Sequence, residues 1–581
     1  MKKKSGKTSL LIVLVDALPL LANELRALGH EVVSLSPGGG IFSARALLGE
    51  RKPDILVQME RLDARTYLAD LEGLPCPTLF WGIDSQLNMF WQKWYARLFD
   101  GTLTPHLSLF RALPDFFRPR GLHAFSWPGH ERPFVPHAAR VRRLGICARV
   151  DEHRELRAAL IALLGEQGLE HNSSPSLSGE EVLDFYSGTK TVPNESLVLE
   201  LNYRLIEAAS CGCLVLSQDV GADQEAILEP GPEFLVYRDG LELLDLVAFA
   251  RKRPGTAEKI GFAAQRRIQA EHLPRMRAAK LLEIAAGATR RRLDGSAARM
   301  ALWLTLAMQI RNRALPLDAR AHALEGMNFF WGKDRDRSAQ ARPFLPHVCA
   351  QVINLLHEAG DRERSLELCR ELLRIVSGDK GNEDRALIGQ SSLMAASACA
   401  LKQGLREAAP VFLDCRALMA GSPAPAGKER PDPAGICLAW ARAAQESGDV
   451  FSPGFMFSPQ SGTLPESALS WLLMAKALKA PGADARIAGL LRGRRELLFL
   501  RMAHTAMESL GHPQSFIAQL EYGLDCLQAC RVREGLFEIA QALSKAGKTG
   551  QSAGFFARLR NSSPVGRNWE KILQESGIRE S

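Results

Sequence analysis

Residues 200–219 read ELNYRLIEAASCGCLVLSQD. Two carboxylates, Glu200 and Glu207, flank Asn202 and Arg204; small residues from Ala208 to Cys213 follow, then the apolar burst Leu214-Val215-Leu216. Seven residues carry an α-helix through nearly two full turns. A helix starting between 195 and 200 therefore puts Glu200 and Glu207 on one face, with Asn202 and Arg204 elsewhere around it. Asn194, after Pro193, suits a cap or turn at its start. Gly212 closes it, and a strand over 214–217 follows. A helix N-terminus just past a strand offers unpaired N–H groups and the positive end of the helix dipole, which suits a pyrophosphate. A carboxylate about two turns further in can accept hydrogen bonds from ribose hydroxyls.

The same grammar extends in both directions. Upstream, strands are expected at 10–15, 31–35, 54–59, 78–83, 100–104 and 123–127, with helices at 17–28, 41–50 and 62–71. The pattern restarts with a strand at 144–148, a helix at 151–168, a Ser/Pro/Gly-rich loop at 171–179, a helix at 180–187 and a strand at 190–193. A strand at 234–237, a helix at 240–252 and further helices from 256 to about 292 complete it. Short, solidly apolar strands separated by amphipathic helices predict βαβ units and parallel sheets covered on both faces. The reading is two Rossmann-like domains, 1–138 and 139–292, with a seam over 131–143.

From 293 to 581 the strand signal disappears. INLLHEAGDRERSLELCRELL, SACALKQGLREAAPVFLDCRAL and IAQALSKAGKTGQSAGFFARL share one texture, an apolar helix, a glycine turn and a second apolar helix. Gly360, Gly404, Gly448, Gly511 and Gly547 punctuate the segment at irregular spacing. This is the pattern of a degenerate TPR-like helical-repeat array, an all-α domain with a long loop over 421–435.

The totals exclude several classes. A chain of 581 residues exceeds one hydrophobic core, and 46% hydrophobic with 24% charged residues is a globular composition. A net charge of +8 over this length does not mark a nucleic-acid binder; it suits small anionic substrates such as nucleotide diphosphates. Arg251-Lys252-Arg253 and Arg290-Arg291-Arg292 read as helix ends and solvated faces. The eleven cysteines include no CxxC pair and no zinc spacing, so no metal site is expected. They read as reduced core residues of a cytoplasmic protein. The basic, apolar N-terminus mimics a signal peptide, but Asp16 interrupts the run and the segment reads as a first strand. No stretch approaches about 18 uninterrupted apolar residues, so no membrane span is expected. SGKTS at 5–9 lacks the upstream glycine of a P-loop and precedes its strand. SPGGG at 36–40 reads as a turn. No G-x-G-x-x-G follows the first strand, which disfavours a nicotinamide enzyme.

The stretch NYRLIEAASCGCLVLSQD, followed by EAILEPGPEFLVYRDGLELL, resembles the second domain of GT-B glycosyltransferases, in particular the spore-maturation (CgeB-like) type. Asn202, Arg204, Glu207, Gly212, Gly231, Glu233, Tyr237 and Asp239 carry the resemblance, and EEVLDFYSGTKTVPNES upstream is similar as well. In the first half, PTLFWGIDS, FDGTLTPH and FSWPGH stand where the family has corresponding features, so the resemblance spans roughly 9–285. It implies a nucleotide-sugar held between two Rossmann-like domains and transfer of the sugar to an acceptor hydroxyl of a glycan or protein. It implies no cofactor and no metal, the leaving diphosphate being neutralised by a helix N-terminus and arginines. In related families the second Glu of a Glu-x7-Glu motif binds the donor ribose, and Glu207 takes that place. The first would fall at Leu199; Glu200 is one residue late. GICARVDEHRELR stands where such enzymes carry a basic residue on the pyrophosphate, which nominates Arg149, then Arg154.

The acceptor-orienting group or base is expected from the first domain. Asp84 ends a strand, where open α/β sheets place ligands, with His106 and His130 as alternatives. Each candidate also has a structural reading. Arg204 could pair with Glu200 at i,i+4, Asp84 could cap the next helix, and the histidines could be core residues. Cys211 and Cys213 read as packing residues. The aromatic run Phe80, Trp81, Phe90, Trp91, Trp94, Tyr95 reads as core more than as sugar platform. A rival function is a catalytically inactive GT-B pair serving as a scaffold through its helical repeats, which would bind a protein partner; a sugar-nucleotide epimerase is another.

Overall fold

The computed structural model describes residues 9–113, 115–150, 155–172, 177–196, 200–290, 292–331, 338–361, 364, 368, 433–446, 467–491 and most of 520–561. The chain divides into two compact units, Met1–Ser126 with Pro274–Ala480, and Trp127–Leu273 with Pro481–Ser581.

Among the described residues the first unit carries eight strands: β1 (Leu11–Val15), β2 (Glu31–Leu35), β3 (Gly40–Ser43), β4 (Ile55–Met59), β5 (Thr66–Ala69), β6 (Thr78–Trp81), β7 (Gly101–Thr104) and β8 (Leu122–Ala124). Six of them form one parallel sheet in the order β2-β1-β4-β6-β7-β8, and β3 pairs with β5 in a separate parallel ribbon. Every residue of β4, β6 and β7 is buried, as a sheet covered on both faces requires. The aromatic run is core: Trp81 and Tyr95 are fully enclosed, and Phe80 meets Tyr95 edge-on with ring centroids 5.3 Å apart.

Two helices expected here are corrected. The segment 41–50 first pairs as β3, and the helix Ala44–Leu48 begins only where the Ser43 hydroxyl accepts the Ala46 amide. The segment 62–71 contains β5 instead of a helix. Tertiary contacts override its local pattern: Tyr67 and Leu68 are fully buried, the Leu68 amide donates to Tyr95 Oη at 2.7 Å, and Gln58 Nε2 donates to the Thr66 carbonyl at 2.7 Å.

The second unit holds β9 (Arg142–Cys147), β10 (Leu169–Asn172), β11 (Thr189–Asn194), β12 (Leu214–Gln218) and β13 (Leu235–Tyr237). They form one parallel sheet in the order β10-β9-β11-β12-β13. β10 lies partly in the segment read as a loop; its sequence, Leu-Glu-His-Asn, is too short and polar to announce an edge strand. The helix Gly179–Ser187 starts on a capping box between Ser178 and Glu181, and Gly240–Lys252 on the Asp239 carboxylate, which accepts from the Leu241 and Glu242 amides.

The helical half is divided between the units. Pro274–Gly287 packs on Pro19–Ala27, and Gly295–Arg311 packs on Ser85–Tyr95. Arg292 is no solvated arginine. Its guanidinium meets the buried Asp100 carboxylate at 2.7 Å and donates to the carbonyls of Leu71 and Leu74. At the other end, Val532–Lys545 and Thr549–Asn561 pair as a hairpin on the second unit, with Leu163 and Leu241 against Val532 and Leu536, and Cys530 joining the core around Leu144 and Tyr237. Gly360 and Gly547 take the left-handed conformation expected of helix-terminating glycines, with φ of +82° and +74°. Gly404, Gly448, Gly511 and residues 421–432 of the expected loop lie outside the described residues, and the helix Pro433–Glu446 begins within that loop's limits. Among the described residues no helix is long and apolar enough to cross a membrane.

Candidate functional site

In the second sheet the strand order reverses beside β9: β10 lies on one side of it and β11 on the other. A parallel sheet opens a crevice at the carboxyl ends of its strands at such a point. β11 ends in Asn194 and runs into Glu195 and Ser196, and all three side chains are used. Glu195 is only 2% exposed and lies between two arginines. Arg204 Nη1 donates to its Oε2 at 2.6 Å, and Arg157 Nε donates to its other oxygen. Burial pushes this carboxyl up, but Arg204 and Arg157 outweigh it and hold it below the usual carboxylate range. Asn194 Oδ1 accepts from Arg204 at 3.2 Å while Nδ2 donates to Ser217 Oγ at 2.8 Å. The Ser196 amide donates to Gln218 Oε1 at 3.0 Å. The turn after β11 is thereby fastened to β12 and to the helix Tyr203–Ser210.

That helix starts later than expected. Its N-cap position is Asn202, with φ −108° and ψ 162°, so Glu200 precedes the helix and shares no helical face with Glu207. Glu200 instead accepts from the Ser196 hydroxyl at 2.5 Å, and Arg204 turns to Glu195, so the i,i+4 pair does not form. Asn202 does not cap with its side chain: Nδ2 donates to the Glu195 carbonyl at 2.7 Å, and Oδ1 is buried with no hydrogen-bond partner among the described residues. Asn194 is no cap either, being the buried last residue of β11.

Glu207 lies one turn beyond Tyr203 and Arg204. Its carboxyl is half-buried and makes no hydrogen bond among the described residues. Burial drives its pKa up to about 7, and Arg204 only partly offsets this. Beside it, Tyr203 Oη donates to the Pro128 carbonyl at 3.2 Å and lies 2.7 Å from His130 Nε2. His130 thus belongs to the second unit; burial lowers its pKa. Gly212 stands at the opposite end of the helix, roughly 12 Å from its N-terminus at 1.5 Å per residue. Its φ is +71°, its carbonyl is 3.2 Å from His137 Nε2, and a Cβ there would stand 2.8 Å from the Phe134 ring. It packs and does not face a ligand at the helix start. Cys211 and Cys213 are buried packing thiols.

Arg149 is exposed just past β9, and its carbonyl accepts from Arg157 Nη1 at 2.7 Å. Arg154 and Leu199 lie outside the described residues. Sequence reading missed Arg157 and Glu195. Glu195 in PNES, directly after a strand, was the available signal.

In the first unit, Asp84 follows β6 at the N-cap position of Ser85–Tyr95, without a side-chain cap bond. His106 follows β7, is 1% exposed, and burial drives its pKa down to about 3, so it is neutral. The missed residue is Glu60, at the carboxyl end of β4. Its Oε2 accepts from the amides of Ile83 (2.8 Å) and Asp84 (3.0 Å) and from Gln92 Nε2 (2.8 Å). Its buried Oε1 has no partner among the described residues, and burial raises its pKa to about 7. No group of three or more His, Cys, Asp or Glu side chains able to hold a metal occurs among the described residues.

Residues 142–283 match the model of the glycosyl transferase-like family. No curated protein matches the chain. Among solved structures, a glycosyltransferase from Rickettsia africae ESF-5 is 12% identical, covering 49% of this chain and 100% of that one, with a TM-score of 0.35. Sucrose-phosphate synthase from Thermosynechococcus elongatus is 12% identical, over 48% of this chain and 98% of its own, with a TM-score of 0.34. Anabaena HepE in complex with UDP-glucose is 10% identical, over 48% and 100%, with a TM-score of 0.34. The family match spans the second sheet from β9 to β13 and the helices that follow it.

Proposed function

We propose that the chain is a GT-B glycosyltransferase of the spore-maturation (CgeB-like) type that moves a sugar from a nucleotide diphosphate to an acceptor hydroxyl. The observation that carries the reading is Glu207, a half-buried carboxyl within the glycosyltransferase-like stretch, without a hydrogen-bond partner among the described residues. A carboxylate so placed accepts from the two ribose hydroxyls of a donor. Arg204, Asn194 and Glu195 act on it from behind, fixing the helix that presents it. The diphosphate lies at the N-terminus of Tyr203–Ser210, near Asn202 and Glu200, with Arg149 or Arg154 supplying paired donors.

In the reaction an acceptor oxygen attacks the anomeric carbon, the bond from that carbon to the diphosphate oxygen breaks, and the acceptor proton passes to a base. Asp84 takes that role, with His106 as the alternative. The helix dipole and arginines meet the charge gathering on the diphosphate, so the transfer is metal-independent and survives chelation. The helical segment from 293 acts as a TPR-like array that presents a glycan or protein acceptor, and the enzyme works in the cytoplasm.

The test is calorimetry of UDP, GDP, ADP and TDP with the full chain and with Glu207→Ala. One nucleotide should bind the parent and lose affinity in the variant; binding by none would remove the transferase reading.

A further inference from the structure

At the opposite end of the strands of the second sheet lies a cavity of about 290 Å³ that the donor reading does not use. It opens at the amino ends of β9 and β11, where His137, Arg143, Gln167, Lys190, Thr191 and Arg251 supply its polar wall. A six-residue strand spans roughly 20 Å, so this pocket is separate from the Glu207 cluster at the carboxyl ends.

The charge arrangement is one-sided. β9 and β11 pair in parallel with Thr189 beside Arg142 and Thr191 beside Leu144. Arg143 and Lys190 therefore fall side by side on the same face, on strands about 4.8 Å apart. Two cations on adjacent positions of neighbouring strands repel one another and ordinarily recruit a carboxylate. Their neighbours do so: Arg142 pairs with Glu170 at 3.2 Å and Arg132 with Asp184 at 3.3 Å. Arg143 and Lys190 make no hydrogen bond or ion pair among the described residues, and no Asp or Glu lines the pocket. A third cation, Arg251, is held at the rim by Gln167 Oε1 at 2.8 Å. His137 is buried and contributes no charge: burial, Arg140 and Lys190 lower its pKa, and its amide donates to Glu258 at 2.6 Å.

We propose that this pocket binds a phosphoryl group. A phosphate dianion matches two adjacent cations in charge, and its oxygens can accept from the Arg143 fork, the Lys190 ammonium and Arg251 together. A monoanionic carboxylate would leave one cation of the pair unneutralised. The group arrives as free phosphate or as a phosphate monoester.

The test uses the full chain with inorganic phosphate, and separately glycerol 3-phosphate, titrated by calorimetry against chloride at matched ionic strength. Saturable binding is expected. It should weaken at least tenfold in Arg143→Gln/Lys190→Gln and persist in Arg143→Lys/Lys190→Arg and in Glu207→Ala. Tighter binding of the ester than of phosphate assigns a phosphorylated small molecule, and equal binding assigns free phosphate. The neutral double variant should fold as well as the parent, because it removes two like charges on adjacent positions, one exposed and one half-buried, that make no hydrogen bond or ion pair among the described residues. A non-saturable response, or one unchanged in that variant, overturns the proposal. Because Glu207→Ala serves as a parallel arm, failure here leaves the donor reading standing, and failure of nucleotide binding leaves this one standing.

Discussion

Arg204 Nη1 stands 2.6 Å from Glu195 Oε2, nine residues back in the chain, while Glu200, four residues back and ahead of the helix, accepts from Ser196 Oγ. Both partners of the Arg204–Glu195 pair are buried, and Arg157 completes a triad. Removing one member of a buried ion pair leaves a charge uncompensated, at a cost of about 3–5 kcal/mol. Arg204→Ala should therefore lower the stability of the second unit by about 3 kcal/mol in urea titrations. The pH dependence has a sign. The Glu195 carboxyl is held low in the folded protein, so its contribution is present above its unfolded value and is lost as pH falls through the folded one. The variant should accordingly lose less stability than the parent on acidification below about pH 4.3.

Glu207 titrates in the opposite sense, with a pKa raised to about 7. Ribose hydroxyls donate to its ionised form, so nucleotide affinity should rise from pH 6 to pH 8, by about tenfold, and then level off. Glu207→Gln should abolish that pH dependence and weaken binding by about 10- to 100-fold, as expected for losing hydrogen bonds to a charged acceptor. Calorimetry at the two pH values reads both effects. Affinity that does not change with pH in the parent would remove Glu207 from the ribose.

Much of this was legible in the chain, and the limits have physical causes. Solid apolar runs such as ILVQM and LVLSQ announce buried parallel strands, and those strands formed. Thr66–Ala69 was misread because pairing with β3 and enclosure by Tyr95 decide its state, and neither is local. Glu207 stood out because a helix, a glycine turn and a strand surround it. Glu195 and Glu60 did not, because each draws its partners from distant segments: Arg157 and Arg204 for one, Ile83, Asp84 and Gln92 for the other. The start of the helix at Tyr203 was missed for a similar reason, since Asn202 is held by the Glu195 carbonyl and does not cap.

Glu60 gathers three donors on one oxygen and so ties the turn that carries Asp84 to the end of β4. Glu60→Ala would strand two backbone amides and a glutamine, each costing about 1–3 kcal/mol when buried unsatisfied, for a total of about 3 kcal/mol or more. Glu60→Gln keeps an acceptor oxygen and should cost less. Because burial raises the Glu60 pKa to about 7, folding favours its protonated form. The parent should lose stability as pH climbs from about 4.3 to 7, and Glu60→Gln should gain relative to it over that window. Chemical denaturation at pH 5 and pH 8 checks this. If Asp84 serves as the base, Glu60→Gln should shift the pH profile of kcat while leaving nucleotide affinity unchanged.

Gly212 separates packing from binding. Its φ of +71° is one that L side chains rarely adopt, and an added Cβ would stand 2.8 Å from Phe134 and 3.1 Å from Arg140 Nη2. Arg140 cannot readily give way, since it is buried and donates to the carbonyls of Thr189 (2.6 Å) and Cys211 (2.8 Å). Gly212→Ala should therefore destabilise the second unit by about 1–3 kcal/mol, from backbone strain and overpacking together. It lies roughly 12 Å along the helix from the proposed diphosphate position. At a temperature where the variant remains folded, its nucleotide affinity should stay within about twofold of the parent. A Tm lowered with affinity preserved assigns Gly212 to the junction between the Tyr203–Ser210 helix and β12. Affinity lost in proportion to that of Glu207→Gln would instead mean that the donor contacts both ends of this helix, and the proposed pose would have to be abandoned.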